Sequence, residues 1–286
     1  MTANVIALGL TAVISIVAPL IILGSVIWKN PMERKHVVLM FLAGAGSYLL
    51  MEWGLKEQTL KALFNHTSFS EFVNEHYIPY LLLVALAGAV LALIPALLVV
   101  CILLKKQVSF AKASMYGLGY ATAEAVMLAG YRCIFSIIEL VKNPETELNT
   151  TTVELFLSCY ERILVMLIHI AVMVVLVYFI EQKMAVRGSV IAVLCLTMAS
   201  FLPGFFIAFT LKNYYEVYDR NVALILVYVV LTMAAFCSGI VLNGLKYSLK
   251  DERIDSKQVI AEYRRKVEEK KKRVKGGITY DKKENQ

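Results

Sequence analysis

The chain has 286 residues, of which 59% are hydrophobic and 18% are charged. Soluble globular proteins are about 45–50% apolar and about 25% charged, so this composition excludes an ordinary soluble domain and indicates a membrane protein. The formal net charge of +7 does not indicate nucleic-acid binding. The excess of Lys and Arg falls in one terminal segment and in short loops between apolar stretches, which is typical of membrane topology.

Seven apolar stretches are long enough to cross a hydrocarbon core of about 30 Å, which takes about 20 helical residues. They cover residues 3–28, 37–55, 79–104, 113–140, 158–180, 190–211 and 222–245. The sixth contains Pro203 and Gly204, which predict a kink or a non-helical break. The sequence therefore predicts an all-α, multi-pass bundle of about seven transmembrane helices over residues 1–250.

The loops between these stretches alternate in basic content, which orients the bundle because cytoplasmic loops retain Lys and Arg. The basic loops hold Lys29, Arg34, Lys35, Lys105, Lys106, Lys112, Lys183, Arg187, Lys246 and Lys250. The opposite loops hold fewer basic residues and two glycosylation sequons, at Asn65 and Asn149. We expect the N-terminus outside and the C-terminus inside, in the plasma membrane.

The last segment, residues 251–286, differs in composition from the bundle. It is charged and helix-prone up to Lys275, and polar after Gly276 and Gly277. Basic side chains near a membrane surface attract anionic lipid by about 1 kcal/mol each. We expect a cytoplasmic basic helical tail with a disordered end. The tail binds anionic lipid or an acidic partner, or is simply solvated.

Two ionisable residues lie deep in the predicted bundle. Glu124 follows Ser114, near the cytoplasmic boundary, and His169 follows Ser158, near the outer boundary, so each lies about 15 Å from its boundary at helical rise. Antiparallel neighbouring helices would bring both to the same depth. Because an ionisable group in hydrocarbon costs several kcal/mol, we expect Glu124 and His169 to form a hydrogen bond or ion pair.

Other residues of the fourth stretch share the face of Glu124. Spacings of three, four and seven residues place Gly117, Tyr120 and Tyr131 there. Gly117 and Gly119 would also let a neighbouring helix approach closely. These residues form, with Glu124 and His169, the predicted binding site.

Charged residues nearer the ends of the stretches are predicted to be interfacial. Arg132 and Arg162 can extend to the lipid headgroups or pair with nearby glutamates. Glu52, beside Trp53, is expected to lie at the outer interface in the same way.

A motif in the fourth stretch resembles the GxGHGGxEA helix of the YhfC family, since it reads Gly117-Leu118-Gly119-Tyr120-Ala121-Thr122-Ala123-Glu124-Ala125. That family is grouped with the CAAX-protease-like and PrsW-like intramembrane metalloproteases. The next stretch is similar to the family's ER…HIA helix, with Glu161-Arg162 followed by His169-Ile170-Ala171. The resemblance covers most of residues 1–245 and implies an intramembrane-protease fold.

The chain departs from that family where the catalytic site would be. The family's paired glutamates would follow Gly88, where this chain has no carboxylate, and the motif histidine is Tyr120. A catalytic zinc takes three protein ligands and a water, so Glu124 and His169 would suffice only if a cysteine such as Cys237 joined them. We predict no catalytic residue and no cofactor, with zinc at these two residues only if the enzyme is active.

Three functions remain open. The leading prediction is a pseudoenzyme that acts as scaffold or binding subunit of a membrane complex and holds a partner helix, peptide or lipid. The second is an active YhfC-type metalloprotease, and the third is a transporter or receptor component. The chain is also loosely similar to the anterior-pharynx-defective subunit of γ-secretase, a seven-span scaffold with an intramembrane histidine. The expected partners are the lipid bilayer and a membrane protein.

Overall fold

The computed structural model describes residues 2–103, 109–143, 152–208, 220–246 and 248–249. The regular elements in these ranges are all helical, and we number the α-helices α1 (Thr2–Lys29), α2 (Arg34–Tyr48), α3 (Glu57–Phe64), α4 (Thr67–Glu75), α5 (Tyr77–Leu103), α6 (Phe110–Ala125), α7 (Tyr131–Lys142), α8 (Thr152–Glu181), α9 (Ala185–Ala208) and α10 (Arg220–Leu245). The all-α prediction is confirmed for this part of the chain. The predicted tail and the Asn149 sequon lie outside the described residues.

Six helical stretches within the described ranges are long and apolar enough to cross a membrane. They are Asn4–Lys29, Arg34–Phe64, Tyr77–Ile102, Thr152–Glu181, Ala185–Phe206 and Val222–Leu245. Each overlaps one of the seven predicted stretches. The remaining predicted stretch, residues 113–140, is helical but does not meet the same criteria of length and hydropathy.

Helix α6 lies in the interior of the bundle, which explains why it is less apolar than its neighbours. All of its residues except Phe110 and Glu124 are buried. It packs mainly against α2 and α8. A helix that faces protein rather than lipid can carry polar side chains such as Ser114 and Thr122, because its surface contacts other helices.

The start of α6 is held by polar contacts. Ser109 caps the helix, since its Oγ accepts a hydrogen bond of 3.3 Å from the backbone N–H of Lys112. The Nζ atom of Lys112 lies 2.9 Å from Oε1 of Glu33, which precedes α2. These contacts join the two helices near their N-terminal ends.

Two glycines let α6 approach its neighbours with backbone against backbone. A Cβ atom on Gly119 would lie 2.0 Å from the carbonyl oxygen of Phe41 in α2. A Cβ atom on Gly117 would lie 2.7 Å from the carbonyl oxygen of His169 in α8. The predicted close approach at both glycines is confirmed. It brings Glu124, farther along α6, within reach of α8.

Two π-helical segments interrupt the α-helices. Leu49–Lys56 joins α2 to α3, and Val126–Gly130 joins α6 to α7. A π-helical turn holds more residues than an α-helical turn, so it changes the direction of the side chains that follow, and it occurs frequently at functional sites. Glu52 lies in the first segment, and Glu124 lies two residues before the second.

Helix α9 runs through the position where the sequence predicted a kink or a break. Pro203 and Gly204 both lie inside the helix Ala185–Ala208. The segment is therefore not a non-helical break. A Cβ atom on Gly204 would make ordinary van der Waals contact with Leu81 of α5, which packs against it.

Candidate functional site

A polar cavity of about 390 Å³ lies among α2, α5, α6, α8, α9 and α10, and reaches the π-helical segment Leu49–Lys56. Its volume falls within the range of about 300–1,000 Å³ that is typical of small-molecule sites. One wall is apolar and includes Leu81, Val84 and Leu196. The polar side chains that line it are Tyr48, Glu52, Lys56, Glu57, Tyr120, Glu124, Glu161, Arg162, His169 and Ser200.

Glu124 and His169 meet inside this cavity. The Nε2 atom of His169 lies 2.8 Å from Oε2 of Glu124. Their side chains are 15% and 19% exposed, respectively. At this distance an imidazole N–H donates a hydrogen bond to the carboxylate, which offsets part of the cost of burying both groups. The predicted contact between these residues is confirmed.

Tyr120 packs against the imidazole of His169, and Tyr48 packs against Tyr120. The ring of Tyr120 lies 5.0 Å from the ring of His169, between ring centroids. Tyr48 packs edge to face against Tyr120, with centroids 5.4 Å apart. Aromatic pairs in this range of distance and orientation are favourable. The predicted site residue Tyr120 therefore lies in the cavity and helps to position His169.

Arg162 also lines this cavity, and the pairing with a glutamate that we predicted for it as one of two outcomes is confirmed at Glu161. It is only 8% exposed, and its Nη1 atom lies 3.9 Å from Oε1 of Glu124. Its Nη2 atom pairs with Glu161, while Nε and Nη1 have no hydrogen-bond partner among the described residues. Arg162 precedes His169 by seven residues, two helical turns, so the spacing does indicate a shared face.

Glu52 also lies in the cavity, although we predicted an interfacial position for it beside Trp53. Glu52 is 9% exposed and forms an ion pair with Lys56, one turn later. Trp53 is exposed, as expected for an interfacial residue. Successive side chains on a helix point about 100° apart, so one of two neighbours can face inward and the other outward.

The structure does not bring Tyr131 to the cavity. Its side chain is 56% exposed, and its ring packs on Phe135 with centroids 4.4 Å apart. The π-helical segment Val126–Gly130 separates Tyr131 from Glu124, so the seven-residue spacing of a regular α-helix does not place them on one face. Gly117 and Gly119 position α6 but are not among the residues that line the cavity.

The donor set of the cavity does not fit a catalytic zinc. Across the described residues, no group of three His, Cys, Asp or Glu side chains is placed to hold a metal ion. Cys237 lines a different space, between α8, α9 and α10. The guanidinium of Arg162 also lies beside Glu124, where its positive charge opposes a second cation. Glu124 and His169 alone do not supply the three ligands of a catalytic site.

We compared the chain with known protein families, curated proteins and solved structures. None of them matches it.

Proposed function

We propose that this protein is a non-catalytic membrane protein, which acts as a scaffold or binding subunit of a membrane complex and holds a ligand in its polar cavity. The resemblance of residues 117–125 to the YhfC helix supports descent from an intramembrane protease that has lost its activity. One observation carries the proposal: Glu124 and His169 satisfy each other at 2.8 Å, beside Arg162. A catalytic zinc would need both residues as ligands and a third donor.

The experiment that tests this proposal is metal analysis of the purified full chain, combined with affinity purification from its native membrane. We expect far less than one zinc per chain, no cleavage of membrane substrates, and a partner that copurifies. Glu124→Gln and His169→Gln should each lower the yield of the complex. Glu139→Gln is the matched control, since Glu139 is exposed on α7.

One tightly held zinc per chain, lost in His169→Gln, together with cleavage of a membrane substrate, would refute the proposal. That result would instead establish an intramembrane metalloprotease with a diverged site. Its third ligand would have to come from a side chain that lies elsewhere in the present arrangement, and its Arg162 would have to leave Glu124.

We also propose that α6 and α7 form a seventh span, with the N-terminus outside and the C-terminus cytoplasmic in the plasma membrane. The position of α6 between α2 and α8 supports the span, because both neighbours belong to candidate membrane helices. The distribution of Lys and Arg supports the orientation. In this orientation the cavity lies toward the outer side, because Glu52 is near the end of the second stretch and Arg162 is near the start of the fifth.

Single cysteine substitutions test this orientation. A membrane-impermeant maleimide applied to intact cells should label Asn74→Cys, before α5, and should leave Lys183→Cys, between α8 and α9, unlabelled. The unsubstituted chain is the control, since its labelling measures how much maleimide reacts with the five native cysteines. Labelling of Lys183→Cys but not of Asn74→Cys would show that the chain has the opposite orientation.

A further inference from the structure

An apolar groove adjoins the polar cavity. The groove has a volume of about 760 Å³ and lies between α8, α9 and α10. Ile168, Ala199, Pro203 and Leu231 line both spaces. The two spaces are therefore neighbouring parts of a larger site, which is charged at one end and apolar at the other.

The groove extends away from the cavity along the helix axes. On α8 its lining runs from Ile168 to Phe179, which is about 16 Å at helical rise. On α10 it reaches Gly244 and Leu245, at the C-terminal end of that helix. This length matches the half-thickness of the hydrocarbon core, about 15 Å. The groove is thus long enough to hold a lipid tail.

The cavity at the end of the groove carries an excess of negative charge. The charged side chains that line it are Glu52, Lys56, Glu57, Glu124, Glu161 and Arg162. Four carboxylates against two cations leave two negative charges in excess when His169 is neutral. Lys56 pairs with Glu52, and Arg162 pairs with Glu161. Glu124 contacts His169, and Glu57 is exposed. The excess negative charge therefore lies at the exposed end of the cavity, where it favours a ligand that brings a positive charge.

We infer that this site binds a membrane lipid whose head carries a primary amine. The amine lies beside Glu57, at the exposed end of the polar cavity, and one acyl chain lies in the apolar groove. An ammonium group has three N–H donors for carboxylate oxygens, and the ring of Tyr48 or Tyr120 offers a further cation–π contact. The inference rests on the proposed function, because it names the ligand of the same binding cavity.

Native mass spectrometry of the purified full chain tests the head group. Phosphatidylethanolamine and phosphatidylglycerol with the same acyl chains share the phosphate and the tails, but only the first carries an amine. We expect phosphatidylethanolamine to bind about tenfold more tightly, or better, which corresponds to about 1.4 kcal/mol. Equal binding of the two lipids, or tighter binding of phosphatidylglycerol, would overturn the inference.

Substitution of the carboxylates tests the source of the selectivity. The double variant Glu52→Gln, Glu57→Gln lowers the lining carboxylates from four to two, equal to the two lining cations, and should abolish the preference for phosphatidylethanolamine. Glu71→Gln is the matched control, because Glu71 is exposed on α4 and does not line the cavity. An unchanged preference in the double variant would mean that the amine does not bind these carboxylates.

Substitution at the junction of the two spaces tests the tail. Ala199→Phe should weaken binding of both lipids, whereas Val229→Phe, at an exposed position of α10 that lines neither space, should not. Ser238→Phe, farther along the groove, gives a second obstruction if Ala199→Phe lowers the melting temperature. Full lipid binding by folded protein with both obstructions would overturn the placement of the tail.

These outcomes are separate from those of the proposed function. A chain that holds zinc and cleaves substrates would refute the proposed function. A chain free of zinc and hydrolytic activity, but without selectivity for the amine, would refute only the lipid inference.

Discussion

A Cβ atom on Gly44 would lie 2.0 Å from the carbonyl oxygen of Tyr116. Helices α2 and α6 therefore touch through their backbones at this point, as they do again where Gly119 meets Phe41. The contact holds α6 in the interior of the bundle. The position of α6 in turn determines where Glu124 lies, so the packing of small residues and the geometry of the cavity are directly linked.

Alanine at Gly44 should therefore destabilise the bundle. Because the obstructing atoms are backbone, the two helices must separate, and we expect a loss of about 1–3 kcal/mol, the usual cost of overpacking. Gly46 is the matched control, since a Cβ atom there has nothing within 4 Å. Gly46→Ala should be neutral or stabilising, because alanine favours helix by up to about 1 kcal/mol over glycine. Thermal unfolding in detergent measures both, and equal melting temperatures would contradict the prediction.

The Glu124–His169 pair should show coupling in a double-mutant cycle. Each single alanine substitution leaves a partly buried partner without its hydrogen bond, at a cost of about 1–3 kcal/mol. The double variant should lose less than the sum of the two, with a coupling energy of about 0.5–3 kcal/mol. Denaturant unfolding of the four proteins measures this energy. Strictly additive effects would show that the contact does not contribute to stability.

The two arginines that we first assigned to the interface should respond differently to substitution. Arg162 is buried beside Glu161 and Glu124, and loss of one partner of a buried ion pair typically costs about 3–5 kcal/mol. Arg132 is exposed on α7, so Arg132→Leu should change stability by no more than about 0.5 kcal/mol. Comparison of Arg162→Leu with Arg132→Leu by thermal unfolding tests this difference. Similar losses would place Arg162 at the interface after all.

Loss of the hydrogen bond between Tyr116 and Ser47 should cost more stability when Ser47 is replaced than when Tyr116 is replaced. The hydroxyl of Tyr116 donates to Oγ of Ser47 at 2.9 Å, and that serine donates to the carbonyl oxygen of Ala43 at 2.7 Å. Tyr116→Phe leaves the serine bonded, so we expect a loss of about 0.5–1.5 kcal/mol. Ser47→Ala leaves a buried phenol without its acceptor and should cost more, about 1–3 kcal/mol. Unfolding measurements on both variants decide this, and the reverse order would be inconsistent with the observed bonds.

Some features of the candidate site follow from local sequence. The depths of Glu124 and His169 depend only on the number of residues from each end of a helix, because every helical residue adds about 1.5 Å. The close approach at Gly117 and Gly119 follows from the missing side chains. The position of Arg162 in the site could have been predicted in the same way, since Arg162 precedes His169 by two helical turns.

Other features required the packed structure. Tyr131 lies outside the cavity because the segment Val126–Gly130 forms a π-helix, and the spacing that we used assumes a regular α-helix. Glu52 faces inward because the surrounding helices enclose that side of its own helix, and nothing in residues 49–56 alone specifies which side they enclose. The apolar groove and its junction with the cavity involve α8, α9 and α10 together.

The amino-acid sequence by itself determined that the chain forms apolar helices long enough to cross a membrane, and it predicted that Glu124 and His169 meet, because hydropathy and helical rise are local quantities. Only the tertiary structure decided which helix lies in the interior and which side chains share a cavity. In lipid, helices associate through close packing and polar contacts rather than through the exclusion of water, so their neighbours depend on detailed surface fit. That fit places α6 against α2 and α8 and brings Arg162 and Glu52 to the Glu124–His169 pair.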